Sequence, residues 1–135
     1  MEIRKSTFDD LPSLIEYEGN VVRINFDVEQ IELVNNMDSN EGKKASRKAY
    51  AAHVVRISQP VSRDKVIDAI VTSVYPTDKM QAIINNHFAN IGVVADGGTL
   101  DADELAHEEE YVAMQEWRKK AKSVASDVMA ELFNR

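Results

Sequence analysis

Alternation of apolar and polar residues marks one clear strand, over residues 22–29. The even-numbered positions from Val22 to Val28 are apolar, and the odd-numbered positions between them carry charged or amide groups. A period of two with β-branched and aromatic residues predicts a strand that has one buried face and one wet face. Gly19 and Asn20 precede it, and because both residues tolerate positive φ we expect a tight turn there.

Two further segments predict strands on either side of this one. Residues 14–18 form a short stretch of mixed apolar and polar residues before the turn, and residues 50–57 alternate again. Between the last two strands, residues 35–48 are polar and rich in Asn, so they are predicted to be a mobile loop. The β-rich part therefore spans residues 14–57 and has about three strands.

The second half of the chain follows a helical period instead. Apolar residues recur at spacings of three and four over residues 62–88, which predicts a pair of helices divided at Tyr75-Pro76. Ser62 is the expected N-cap of the first helix. Residues 89–100 hold three glycines and are predicted to be a flexible connection. Residues 101–135 then predict one long amphipathic helix.

Strands first and helices afterwards are typical of an α+β fold. We expect a single domain over residues 1–135, with a small antiparallel sheet of about three strands in its N-terminal half. Two short helices and one long C-terminal helix are expected to cover that sheet. A chain of 135 residues can bury a core of its own without disulfides or metals.

The long C-terminal helix carries the most extended apolar stripe of the chain. The stripe recurs every three or four residues and includes the only tryptophan. A helix of this length must lay such a stripe on its own domain or on a partner, so the stripe is a candidate interaction surface. Flanking apolar residues make it broad, which favours packing within the domain over a zipper. Its members are Met114, Trp117, Ala121, Val124, Val128 and Leu132.

The net charge limits the classes of partner that the protein is expected to bind. The net charge is −7, and an acidic chain is a poor binder of nucleic acids and anionic membranes because phosphate contacts need a basic field. The acidic chain also contains one basic cluster, which could contact an acidic partner such as residues 101–110 of a neighbouring subunit. The cluster consists of Lys43, Lys44, Arg47 and Lys48.

The sequence shows no catalytic or cofactor motif. It contains no cysteine, which excludes disulfides, thiolate nucleophiles and cysteine-ligated metals. There is no Ser-His-Asp arrangement with supporting turns and no nucleotide fingerprint, and His107 among its acidic neighbours has no second histidine at helical spacing. We therefore expect no catalytic residues, no cofactor, no metal and no enzymatic activity.

Membrane association is not expected either. No apolar run approaches the roughly 18–20 residues that a bilayer-spanning helix needs. The first residues, MEIRK, are followed by no apolar signal core. The expected location is therefore the cytoplasm.

Three stretches of the helical half resemble small uncharacterised proteins of phages and prophages. They are residues 63–70 (RDKVIDAI), residues 78–86 (DKMQAIINN) and residues 110–122, in which QEWRKKAK resembles the C-terminal helices of those proteins. The resemblance extends over roughly residues 14–130. It implies a virion-associated or accessory role and no catalytic residues.

We therefore expect a non-enzymatic, phage- or prophage-associated structural or accessory protein, in the host cytoplasm or on the virion, that acts through a protein partner or self-association. The helix pair leaves an alternative open, because two helices joined by a tight corner resemble a helix-turn-helix. In that case residues 64–88 belong to a nucleic-acid-binding regulator. The second helix of the pair offers one lysine, Lys79, and several amides for base contacts, so a nucleic acid is the less expected partner.

Overall fold

The computed structural model describes residues 4–35 and 45–134. Lys43 and Lys44, two members of the predicted basic cluster, lie outside these residues. Contacts divide the chain into two compact units, Met1–Val61 and Ser62–Arg135. The first unit holds the strands and the second holds the helices. The single domain expected from the sequence stays a prediction.

The first unit is built on a four-stranded antiparallel sheet. In chain order its strands are β1 (Ser6–Phe8), β2 (Ile15–Glu18), β3 (Val21–Asn35) and β4 (Ala45–Ser58). They lie in the order β1-β4-β3-β2, so the two long strands occupy the centre. The sequence predicts about three strands and omits β1, whose three residues are too few to show a period.

A tight turn leads into β3. Gly19 has a φ of +66°, a left-handed conformation that favours glycine, and the predicted turn is confirmed. Val22, Ile24 and Phe26 are buried, as the alternation of the sequence predicts. On the same face, Val22 and Ile24 pair with Ile57 and Val55 of β4, which are also buried.

A bulge then interrupts the alternation of β3. Asp27 has a φ of +51°, and the pairing passes from Phe26 with His53 to Glu29 with Ala51. One extra residue on β3 therefore opposes β4, which is the signature of a β-bulge. Val28 falls out of the buried row and is exposed, so the prediction that it continues the buried face is wrong.

Beyond the bulge, β3 and β4 continue as a two-stranded arm. β2 pairs with residues 21–24 of β3, and β1 pairs with residues 50–52 of β4. In the described part of the sheet, residues 31–35 and 45–49 pair only with each other. The loop predicted over residues 35–48 is therefore wrong at both ends, where the residues are paired, and its middle lies outside the described residues.

The second unit holds three helices in its described residues: α1 (Arg63–Val74), α2 (Thr77–Ala95) and α3 (Ala102–Phe133). Ser62 caps α1 as predicted, because its hydroxyl accepts a hydrogen bond from the Lys65 amide. A capping box begins α3, in which the side chains of Asp101 and Glu104 each accept from the other's backbone amide.

Helix α2 is longer than the sequence predicts. It continues to Ala95, so the flexible connection predicted over residues 89–100 is wrong for its first seven residues, 89–95. A single glycine in a helix interior costs only about 1 kcal/mol, so Gly92 does not end the helix. Gly97, with a φ of +83°, lies in the short turn that leads to α3.

Both α1 and α2 pack against α3. The predicted α+β class is confirmed: the protein has a four-stranded antiparallel sheet and three helices among its described residues, the last of them long. None of the helices in the described ranges combines the length and the apolar character that crossing a bilayer requires.

Candidate interaction surface

The apolar stripe predicted on α3 forms the core of the helical unit. Five of its six members are buried, and Leu132 is half-buried. The indole Nε1 of Trp117 donates a hydrogen bond to the carbonyl oxygen of Ile70 in α1, at 2.9 Å. The stripe is therefore occupied within its own unit, and its use as a surface for another protein stays a prediction. The five buried members are Met114, Trp117, Ala121, Val124 and Val128.

The described part of the basic cluster lies on the arm. Arg47 and Lys48 are exposed residues of β4. Arg47 forms an ion pair with Asp9, and Lys48 lies across the ladder from Glu32. Each of these two cations therefore has an acidic neighbour within the first unit.

Polar side chains join α2 to the N-terminal half of α3. Asn90 is 4% exposed, and its amide nitrogen donates to the carbonyl oxygen of Glu104 at 2.8 Å and to Glu108 Oε1 at 3.0 Å. Both partners are acceptors, so the NH₂ group of Asn90 must face them. Asn86 of α2 lies beside His107, and Asn90 lies beside Glu104, so the two helices run antiparallel.

His87 adds a second link between the same helices. Its Nδ1 lies 2.9 Å from Glu108 Oε1 and 3.0 Å from Oε2, and its ring stacks on Tyr111 with the centroids 3.6 Å apart. The hydrogen bond from His87, followed by the one from Asn90, holds the pKa of the Glu108 carboxyl below its ordinary value. An ionised carboxylate only accepts, so Nδ1 of His87 carries the proton in this pair. We call His87, Asn90, Glu108 and Tyr111 the latch.

His107 also serves the contact between the helices. Its Nδ1 lies 3.2 Å from Nδ2 of Asn86 and 4.0 Å from Oε1 of Glu110. The Asn86 amide nitrogen donates, so Nδ1 of His107 is the acceptor of that hydrogen bond. Among the residues described, no group of three His, Cys, Asp or Glu side chains is placed to hold a metal ion.

Large apolar side chains are exposed on the helical hairpin of α2 and α3. Ile91 and Val94 on α2 and Leu105 and Val112 on α3 are each at least 49% exposed. Ile91 and Val94 line a groove of about 380 Å³, to which Glu108 also contributes. Leu105 and Val112 do not line the groove, but each is one helical turn from Glu108, which does. We call Ile91, Val94, Leu105 and Val112 the hairpin face.

The part of the hairpin that carries this face, residues 80–116, has Asp and Glu but no Lys or Arg. All of these acidic residues follow residue 95. A surface with apolar side chains and an acidic border favours a partner that combines apolar and basic groups. The acidic residues are Asp96, Asp101, Asp103, Glu104, Glu108, Glu109, Glu110 and Glu116.

A second groove lies at the corner between α1 and α2. It measures about 440 Å³, and Ile67, Met80 and Ile84 are among its apolar lining residues. Its charged lining residues are Asp64 and Asp68 of α1 and Arg118 of α3. Two carboxylates beside one guanidinium give no basic field for nucleic-acid phosphates, so the corner offers no support for the nucleic-acid-binding alternative over residues 64–88.

The pattern of apolar residues in the sequence does not single out the hairpin face. Ile91 and Val94 fall in the stretch predicted to be a connection, where apolar residues predict nothing about a helical face. Leu105 and Val112 are seven residues apart, but they lie off the longer stripe that draws attention on the same helix. Ile91 and Val94 are predicted to lie on a helix only if the helical spacing of three and four is continued past residue 92.

Comparison with known proteins adds no relative to this picture. No protein-family model, no curated protein and no solved structure matches the chain.

Proposed function

We propose that this chain is a non-enzymatic accessory protein, encoded by a phage or prophage, that works through protein–protein contacts, beginning with its own self-association. The hairpin face carries this proposal. Contiguous apolar patches larger than a few hundred Å² are rare on soluble monomers, and apolar patches bordered by polar groups often mark interaction sites. Four exposed apolar side chains beside a groove on two helices that the latch holds together meet that description.

A second copy of the chain is the partner that the charges favour. The acidic border of the hairpin face ends at Glu116, and residues 118–122 then carry four basic side chains and no acidic one. Helix α3 therefore supplies both an acidic segment and its complement. Two copies provide the apolar and basic partner surface without a further protein.

The phage or prophage origin is supported by the resemblance of residues 63–70, 78–86 and 110–122. The last of these stretches belongs to α3, the helix that carries half of the hairpin face. A protein of this kind would act in the host cytoplasm or on the virion. If its coding sequence lies among capsid or tail genes, the origin is supported; a position inside a metabolic operon contradicts it.

The self-association is tested by changing the hairpin face. Ile91→Glu places a charge in the apolar contact, and we expect it to raise the dimer dissociation constant by at least about tenfold, because an unpaired charge is costly to bury. Sedimentation equilibrium over a range of protein concentrations measures this constant. Leu11→Glu is the matched control, since Leu11 is 67% exposed and lies in the first unit.

Circular dichroism must show that both variants keep the helical content of the wild type. A wild-type chain that stays monomeric at every concentration contradicts the proposed self-association. So does a dimer that Ile91→Glu and Leu11→Glu weaken equally, since that result assigns the contact to another surface.

A further inference from the structure

Helix α3 carries an exposed row at heptad spacing. Leu105, Val112 and Lys119 follow one another at seven residues, close to two helical turns, so they lie on one side of the helix. Leu105 and Val112 are 52% and 56% exposed, and the side chain of Lys119 is 76% exposed. Val112 is the midpoint of the row. The row is therefore apolar at Leu105 and Val112 and basic at Lys119.

The two ends of this row have complementary surroundings. Asp101, Glu108 and Glu109 lie one turn from Leu105 along α3, whereas Lys119 belongs to the basic segment 118–122. Lys119 is paired with Glu116 at 3.7 Å, and both side chains are exposed. Exposed pairs of this kind contribute little to stability, so Lys119 can exchange its partner for one across an interface.

From this placement we infer that two copies of the chain associate with their α3 helices antiparallel and with Val112 of both copies on the two-fold axis. The inference rests on the proposed self-association and adds which residues meet. Lys119 of each copy lies opposite Leu105 of the other, about 10 Å along the helix from the axis. Its aliphatic stem covers Leu105, and its ammonium group reaches the acidic border at Glu109.

The charges select this arrangement over a parallel one. In a parallel pair, the acidic segment 101–110 of one copy faces the same acidic segment of the other copy, and Lys119 faces Lys119. Like charges placed directly opposite each other disfavour association. In the antiparallel pair, the basic residues 118–122 of each copy face residues 102–106 of the other, which include Asp103 and Glu104. Glu116 and Glu108 come opposite each other in this pair, whereas the parallel pair places every charge opposite its own like. The antiparallel contact is self-complementary, as a two-fold interface requires.

Cysteine crosslinking tests the axis directly. The chain has no cysteine, so Val112→Cys introduces a single thiol. Two residues on a two-fold axis come within the Cα separation of roughly 4.4–6.8 Å that a disulfide needs. We expect oxidised glutathione to convert this variant to a covalent dimer. Ser126→Cys is the matched control, since Ser126 is exposed and lies two heptads further along the same row.

The control separates the two orientations. In the antiparallel arrangement, Ser126 lies far from its own copy, and that variant stays uncrosslinked. If both variants crosslink equally, the helices are parallel and the inference is wrong. If neither crosslinks under conditions where sedimentation shows a dimer, α3 does not lie on the axis, and the inference is again wrong.

Exchange of charges tests the predicted neighbours. We expect Lys119→Glu and Glu109→Lys to raise the dimer dissociation constant by about tenfold each, because each places like charges together. The double variant Glu109→Lys/Lys119→Glu exchanges the two charges, keeps the net charge, and should return to within about threefold of the wild type. A double variant as weak as the single ones contradicts the pairing.

Failure of the arrangement is distinguishable from failure of the proposed function. If Ile91→Glu abolishes the dimer while the charge changes have no effect, the hairpin face self-associates in a different arrangement. In that case the function stands and the present inference fails. If the wild type is a monomer, both fail.

Discussion

Trp117 connects α3 to α1 by two kinds of interaction. Its ring is buried in the stripe of α3, and its Nε1 donates to the carbonyl oxygen of Ile70, across 47 residues of sequence. The same carbonyl oxygen also accepts a hydrogen bond from the Ser73 hydroxyl at 2.6 Å, so one acceptor near the end of α1 joins a side chain of its own helix to the indole of α3. The indole thereby fixes how α3 is rotated against α1, which burial of the apolar ring alone does not do.

Replacing the indole separates these two contributions. Trp117→Phe removes the donor and part of the buried ring, and we expect it to lower the free energy of unfolding by about 1–3 kcal/mol. Urea unfolding followed by far-ultraviolet circular dichroism measures the loss without depending on tryptophan fluorescence. Phe133→Leu is the control, because Phe133 is 80% exposed and its change should be close to neutral. Equal effects of the two changes would contradict the assigned role of Trp117.

Glu108 makes the latch sensitive to acid. Hydrogen bonds from His87 and Asn90 lower the pKa of its carboxyl in the folded state from the ordinary 4.5. The folded state therefore binds the proton less readily than the unfolded state, and this contribution to stability is present above the ordinary value. It is lost as the pH falls through the lowered pKa. We expect wild-type stability to decline over that window.

Glu108→Gln tests this linkage. The variant cannot ionise, so it should be less stable than the wild type at neutral pH, and the difference should shrink as the pH falls below 4.5. Thermal unfolding at a series of pH values measures the difference. Asp127→Asn, which removes an exposed carboxylate from the same helix, is the matched control. A difference that stays constant with pH would show that Glu108 acts by packing and not by its charge.

At the scale of elements, the sequence predicts structure where one period runs without interruption. Helix α3, the start of α1 at Ser62 and the turn at Gly19 are recovered because each depends on neighbours within a turn or two. The buried half of β3 is recovered for the same reason. The part of β3 after the bulge is not predicted correctly. The bulge at Asp27 adds one residue and exchanges the buried and exposed faces, and the alternation of the sequence alone cannot show this.

The sequence does not predict the arm or the second half of α2, and the physical reasons differ. In the arm, Glu32 lies opposite Lys48 and Val34 opposite Ser46, so cross-strand pairs hold a ladder whose residues look like a polar loop in sequence. In α2, Gly92 suggests an end that tertiary contacts override. Asn90 holds this part of the helix to α3, and such a contact between residues 14 and 18 positions apart has no local signature.

The hairpin face is predictable only once the pairing of helices is known. Leu105 and Val112 read as ordinary apolar positions of a long helix, and their exposure follows from which side of α3 its neighbours cover. The buried stripe Met114–Val128 contacts α1 through Trp117, and Glu108 of α3 contacts α2 through His87. Only the remaining side of the helix is left exposed, so the candidate surface emerges from the structure and not from the pattern.

At the scale of the whole molecule, net charge and local charge act in opposite directions on self-association. Each copy carries −7, so two copies repel at a distance, whereas the proposed contact between Lys119 and Glu109 would attract at short range. The screening length decides the balance. It is about 30 Å at 0.01 M salt and spans much of a small protein, but only about 8 Å at 0.15 M, where neighbouring charges alone interact.

The dimer should therefore tighten as salt is raised from 0.01 M to about 0.15 M, because the long-range repulsion is screened before the contact pairs are. Above that, it should weaken slightly as the pairs are screened too. Lys119→Glu removes the local attraction and changes the net charge from −7 to −9, so its dimer should tighten over the whole range. The charge-exchanged double variant keeps the net charge and should follow the wild type. Sedimentation equilibrium at a series of salt concentrations gives all three curves. A wild-type affinity that falls steadily from the lowest salt would show that net repulsion is negligible, and coinciding curves would remove Lys119 from the interface.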